Sequence, residues 1–201
     1  IASSGGMVVS GGALGIDTAA HKGALNVGGQ TIAVLGCGIN YPYLSTNRQL
    51  RHRISKSGVL ISEYPPNYPV HSYNFPLRNR IISGLSLGTI VIEAGKDSGS
   101  LITANLANEQ NRDVFVVPVD MRSPLSVGTI SLINDGAKVV VNVSDIINEY
   151  KFKLKNKSFD EKYHFKHNYS HTYKEEKPEP VQKSSQIQNI EISQKAKIIY
   201  D

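Results

Sequence analysis

A short apolar run that breaks into a glycine or serine turn occurs three times between Met7 and Glu109, and twice the turn opens directly into a helix. Met7–Ser10 leads into Gly11-Gly12-Ala13-Leu14-Gly15 and a helix from Ile16 to about Val27. Thr31–Leu35 leads into Gly36-Cys37-Gly38, and Thr89–Glu93 into Ser98-Gly99-Ser100 and a helix to Glu109. Runs this short, without charge until Glu93, suit strands covered by helices on both faces. Strands alternating with helices define an α/β fold with a mostly parallel sheet. Such sheets bind ligands at the carboxyl ends of their strands, where these turns lie.

The remaining punctuation continues the pattern. Ser45 or Thr46 can N-cap a helix carrying Arg48, Arg51 and Arg53 to about Lys56, and Val59–Ser62 reads as a third strand. Glu63 to Tyr73 is a proline-rich loop long enough to suggest a function. A helix starting at Phe75-Pro76 places Leu77, Ile81, Ile82 and Leu85 at core spacing and leaves Arg78 and Asn79 off that face. Asp113–Val117 is a fifth strand, Val127–Asp135 a helix, Ala137–Val141 a last strand and Asp145–Glu149 a short helix. From Lys151 the periodicity fails. Residues 151–189 read as a charged linker with the composition of disorder, and 190–201 regain helical spacing.

Charge follows this division. Residues 1–150 hold 11 basic and 10 acidic side chains, whereas 151–201 hold 11 lysines and 7 acids. The overall +5 is therefore mostly tail, and the placement of Arg48, Arg51, Arg53, Arg78 and Arg80 is more informative than the total. A single cysteine, Cys37, precludes an internal disulfide and suits a reducing cytoplasm. No apolar run is long enough for a membrane span. The six histidines show no metal-ligand spacing, so no metal is expected.

Two catalytic readings carry bland alternatives. Cys37 could be a thiolate at a strand end or a small residue filling a tight loop. His21 and Asp17, four apart on a helix, could form a catalytic pair or a structural contact. The Gly11-Gly12 turn could cradle phosphate, or simply permit a tight bend. It lacks the six-residue dinucleotide spacing, and no acid ends the next strand to take a ribose, so no nucleotide cofactor is expected. Phe75, Arg78 and Arg80 fit a single-strand track of one stacking ring and phosphate-gripping arginines. The same residues also fit a solvated helix face with Phe75 stapled into the core.

Several long motifs, in order, resemble the DNA-processing protein family DprA, also called Smf. They are Val9–Asp17, Ala20-His21, Ile32–Gly38, Ser62-Glu63-Tyr64, Asn74–Leu85 and Ser98–Ala104, and the match spans about residues 1–150. The resemblance implies an extended Rossmann-like fold without its first strand. It also implies a homodimeric, cytoplasmic, non-enzymatic protein that binds single-stranded DNA and loads RecA recombinase on incoming DNA in natural transformation. Carried over residue by residue, the DNA site comprises Gly11, Gly12, Phe75, Arg78, Asn79, Arg80, Ser98, Gly99 and Ser100. Residues 190–201 resemble the start of a C-terminal winged-helix domain. Two departures stand out: the family's upstream Gly-Ser-Arg loop is not in the sequence, and His71-Ser72 replaces a frequent lysine, leaving Arg48 or Arg51 to compensate. The alternative is a phosphoribohydrolase on a related scaffold, whose motif needs a carboxylate where this chain has Thr103.

Overall fold

A computed structural model describes residues 1–43 and 47–155, with side chains to Lys151. Ser45 and Thr46, most of the expected linker and the expected winged-helix start lie outside the described residues. Among the described residues six strands and six α-helices alternate: β1 (Val8–Ser10), α1 (Ile16–Asn26), β2 (Thr31–Leu35), α2 (Arg48–Ser57), β3 (Val59–Ser62), α3 (Asn74–Leu85), β4 (Gly88–Val91), α4 (Gly99–Glu109), β5 (Asp113–Val116), α5 (Val127–Asn134), β6 (Lys138–Val139) and α6 (Val143–Lys155). Every strand pairing is parallel, as the helical crossovers require.

The strands form two three-stranded sheets, ordered β1-β2-β3 and β4-β5-β6. In the first, Val9 pairs with Ile32 and Ala33 with Leu60; in the second, Ile90 pairs with Phe115 and Phe115 with Lys138. Each sheet has its own apolar packing. Ala33, Leu35, Leu50 and Ile54 bury β2 against α2. Val91, Ala104, Ala107, Val114, Val116 and Leu132 join β4 and β5 to α4 and α5. Phe115, Val140, Ile146 and Tyr150 seat α6.

Three expectations are corrected. The last strand is only Lys138–Val139, because Val141 stands 77% exposed and has no core face to join. The last helix is Val143–Lys155 rather than Asp145–Glu149; Ile146 and Tyr150, four apart, are buried on one stripe of it. The third correction concerns α3. Its buried residues are Asn74, Arg78 and Ser83, while Leu77 is 57% and Leu85 51% exposed. Ile81 and Ile82 are half-buried as their spacing expects, but at the start of the helix Asn74 and Arg78 turn inward onto backbone carbonyls while Leu77 faces out.

Candidate nucleic-acid interface

At the carboxyl ends of β1 and β2 the chain must turn, which frees carbonyls from the ladder. Asn74 and Arg78, one helical turn apart on α3, fill that demand. Asn74 Nδ2 donates to Gly36 O at 2.8 Å. Arg78 Nη1 donates to Gly11 O at 2.9 Å and also to Val34 O, while Nε donates to Asn79 Oδ1 at 3.2 Å. Burial lowers the Arg78 pKa, opposed chiefly by the Asp17 carboxylate. Arg78 is thus a buried brace across two strand ends, not the exposed helix-face cation that spacing suggests.

The glycine turn is organised from inside as well. Asp17 Oδ2 accepts from Gly11 N–H at 3.2 Å and Ala13 N–H at 3.1 Å, occupying two of the amides that could face an external anion. Asn47 Nδ2 donates to Gly12 O at 3.2 Å and to Thr18 Oγ1 at 2.9 Å. Gly12 has φ 72° and open space where a Cβ would stand, so the turn's outer side is accessible. Neither Asn47 nor Asn74 was foreseen. A lone asparagine has no periodic signal, and its partners are 35 and 38 residues away.

Phe75 is half-buried beside this brace. Its ring lies 5.5 Å from Tyr43 and 5.8 Å from the Arg78 guanidinium carbon, and a Cβ on Gly36 would approach it to 2.9 Å. The cavity beneath, lined by Gly11, Gly36, Tyr43 and Phe75 among others, is about 20 Å³. That volume suits one water and excludes a base, so a base can meet only the outer part of the ring. Arg80 is exposed and pairs with Glu63. Exposed pairs of this kind contribute about 0–1 kcal/mol, so a phosphate can compete for the arginine.

The Ser98-Gly99-Ser100 turn heads α4. Ser98 Oγ accepts from Ser100 N–H at 3.3 Å and lies 2.7 Å from Ser100 Oγ. A Cβ built on Gly99 meets nothing within 4 Å, leaving the helix N-terminus open to an anion. Where α3 and α4 end, Gln110 Nε2 donates to Arg80 O and Arg112 Nη2 to Gly84 O, so the two helices pack side by side. Gly11, Arg78, Asn79 and Phe75 are directly linked; Arg80 and the Ser98 turn belong to separate local networks.

Cys37 and His21 both take their structural alternative. Cys37 is 1% exposed, and burial raises its thiol pKa against the opposing pull of Arg51 and Arg78. His21 does not pair with Asp17. Thr31 Oγ1 donates to Val8 O, so His21 Nδ1–H donates to Thr31 Oγ1 at 2.7 Å. Arg51 donates to the carbonyls of Ile39, Tyr41 and Tyr43, ordering that loop instead of offering a free cation. Among the described residues no cluster of His, Cys, Asp or Glu could hold a metal, and no helix is long and apolar enough to cross a membrane.

Parallel sheets flanked by helices and tipped by glycine and serine turns define a Rossmann-like protein. The model of the DNA recombination-mediator protein A family matches residues 1–151, and the chain belongs to that family. It is 47% identical over 146 residues to DNA processing protein DprA of Streptococcus pneumoniae, covering 73% of this chain and 52% of that protein. Against DprA of Bacillus subtilis it is 44% identical over 149 residues, covering 74% and 50%. The chain thus spans about half the length of these relatives.

Solved structures agree with the fold. The S. pneumoniae protein superposes with TM-score 0.68 at 46% identity, covering 71% of this chain and 50% of that one. DNA processing protein A of Helicobacter pylori, described for its mode of binding single-stranded DNA, gives TM-score 0.68 at 32% identity, covering 76% and 69%.

Proposed function

We propose that this protein binds single-stranded DNA without sequence preference and passes it to RecA recombinase in the cytoplasm, acting as a homodimer without chemistry of its own. The observation that carries the reading is the start of α3. Arg78 and Asn74 tie it to the ends of β1 and β2, and this holds Phe75 and Arg80 at the strand tips. Phe75 offers a ring edge to an unpaired base, and Arg80 exchanges Glu63 for a phosphate. Asn79 holds the Arg78 fork in place. Gly12 of the Gly11-Gly12 turn and Gly99 of the Ser98-Gly99-Ser100 turn, each with open space beside it, let further phosphates approach the backbone and the serine hydroxyls. The H. pylori relative's described DNA binding supports this reading, and the family's description as a recombination mediator supports hand-over to a recombinase.

Self-association is proposed through the segment 127–143, where Val127, Ile130, Val139, Val141 and Val143 are exposed and a partner copy would cover them. The phosphoribohydrolase alternative has no support at its turn, where the Thr103 hydroxyl donates to Gly99 O in place of a catalytic acid.

Fluorescence anisotropy with labelled oligo-dT and a matched duplex, across a salt series, tests the proposal. Preference for the single strand, weakening steeply as salt rises, is the expected outcome. Equal affinity for both, or none for either, refutes it.

A further inference from the structure

The loop between β3 and α3 carries an aromatic array that the site above does not use. Tyr64 stacks on Tyr68 with centroids 5.0 Å apart and planes 14° from parallel. Tyr68 meets His71 edge-on at 5.6 Å, and His71 stacks on Tyr73 at 5.2 Å and 13°. Tyr68 and Tyr73 hydroxyls lie 3.5 Å apart. The array is anchored from the neighbouring turn: Gly38 N–H donates to Tyr68 O and Asn40 N–H to Pro66 O, both at 2.8 Å. These rings therefore hold their places without a ligand.

The last ring is not covered. Tyr73 stacks on His71 yet remains 56% exposed, and its side chain makes no capping bond at the start of α3, where it is the N-cap. A tyrosine ring exposed in this way offers an apolar face with its hydroxyl at the edge, a shape on which a flat aromatic group can stack. Tyr73 is two residues from Phe75, so the array ends where the DNA site begins. From Tyr64 to Leu77 the sequence holds no acid, and Glu63 just before it is paired with Arg80. The loop segment itself thus sets no carboxylate in the path of a phosphodiester chain.

We infer that Tyr73, braced by His71, Tyr68 and Tyr64, is a second base-stacking platform that receives an unpaired base next to the one at Phe75. The inference rests on the single-strand reading of the site. The ligand is a nucleobase of the bound strand, taken by its π-face and so without regard to sequence. Because the rings are already fixed, stacking costs little side-chain ordering. Tyr73 and Phe75 together give the strand two successive stacking points, and binding should strengthen with oligonucleotide length until both are filled.

The test uses the full chain, oligo-dT of about four and about sixteen nucleotides, and the variants Tyr73→Ala and Tyr73→Phe. For the longer strand, Tyr73→Ala is expected to weaken binding about tenfold, with Tyr73→Phe restoring it and the shorter strand changing little. Oligo-dT bearing 5-iodouracil, irradiated on the wild-type chain, should cross-link to the peptide containing His71 and Tyr73 as well as to Phe75. Unchanged affinity in Tyr73→Ala with cross-links at Phe75 alone overturns this inference and leaves the function intact. Equal loss at both lengths, or failure of phenylalanine to rescue, also overturns it, because the start of α3 is then being disturbed. No binding of either strand by the wild-type chain overturns the functional reading itself.

Discussion

The Arg78 guanidinium lies directly on Gly11: Nη1 donates to Gly11 O at 2.9 Å, and a Cβ at position 11 would sit 2.6 Å from Nη2. One residue's missing side chain is the room for the other's charged group. The contact joins residues 67 apart and sets the start of α3 over the ends of β1 and β2.

Gly11→Ala should therefore cost about 1–3 kcal/mol of stability through overpacking. Arg78→Ala should cost about as much or more, by leaving the carbonyls of Gly11 and Val34 without their donor. The two losses are not independent. In the double variant the alanine methyl occupies vacated space, so the summed cost should exceed the measured one. Urea denaturation of all four chains checks this cycle.

Stability should fall below neutral pH because of His21. Burial lowers its pKa from 6.5, with Asp17 partly opposing. The fold holds the neutral ring while the unfolded chain accepts a proton more readily. The contribution is thus present above about 6.5 and is lost as pH falls below it. His21 Nε2 is buried without a protein partner, so the added proton would have no acceptor there. Thermal melts of wild type and His21→Gln between about pH 5 and 8 should diverge in slope, the variant losing less on the acid side.

Releasing Arg80 should tighten DNA binding. Glu63→Gln removes the carboxylate that pairs with Arg80 while leaving stability within about 0.5 kcal/mol, because both side chains are largely exposed. Arg80→Ala should act oppositely, weakening all sequences alike and reducing the salt slope by about one phosphate contact. Anisotropy titrations of both variants would read this; parallel salt slopes for wild type and Arg80→Ala would exclude Arg80 from the phosphate path.

Cys37 should behave as an inert thiol. It is buried and its pKa is raised by desolvation, so a disulfide reagent should label it only as the chain unfolds. Fast labelling of the native protein would contradict the packing of the Gly36–Gly38 turn. Cys37→Ala should leave DNA affinity unchanged.

Local order was largely legible before any coordinates. Short apolar runs separated by glycine turns and helical spacing specify parallel strands with helical crossovers, because side-chain period and turn chemistry are properties of neighbouring residues. Val59–Ser62 was placed to the residue, and the Gly11-Gly12 and Ser98-Gly99-Ser100 turns fall at strand and helix ends as anticipated. Only the tertiary structure decided which way α3 faces, that the strands divide into two sheets, and that Asp17, Asn47 and Asn74 hold the turns. The reason is physical: an apolar period marks burial against side chains, but the start of α3 is buried against carbonyls at the ends of β1 and β2. Those carbonyls come from residues 38 to 67 positions away from Asn74 and Arg78, a demand that no local window contains.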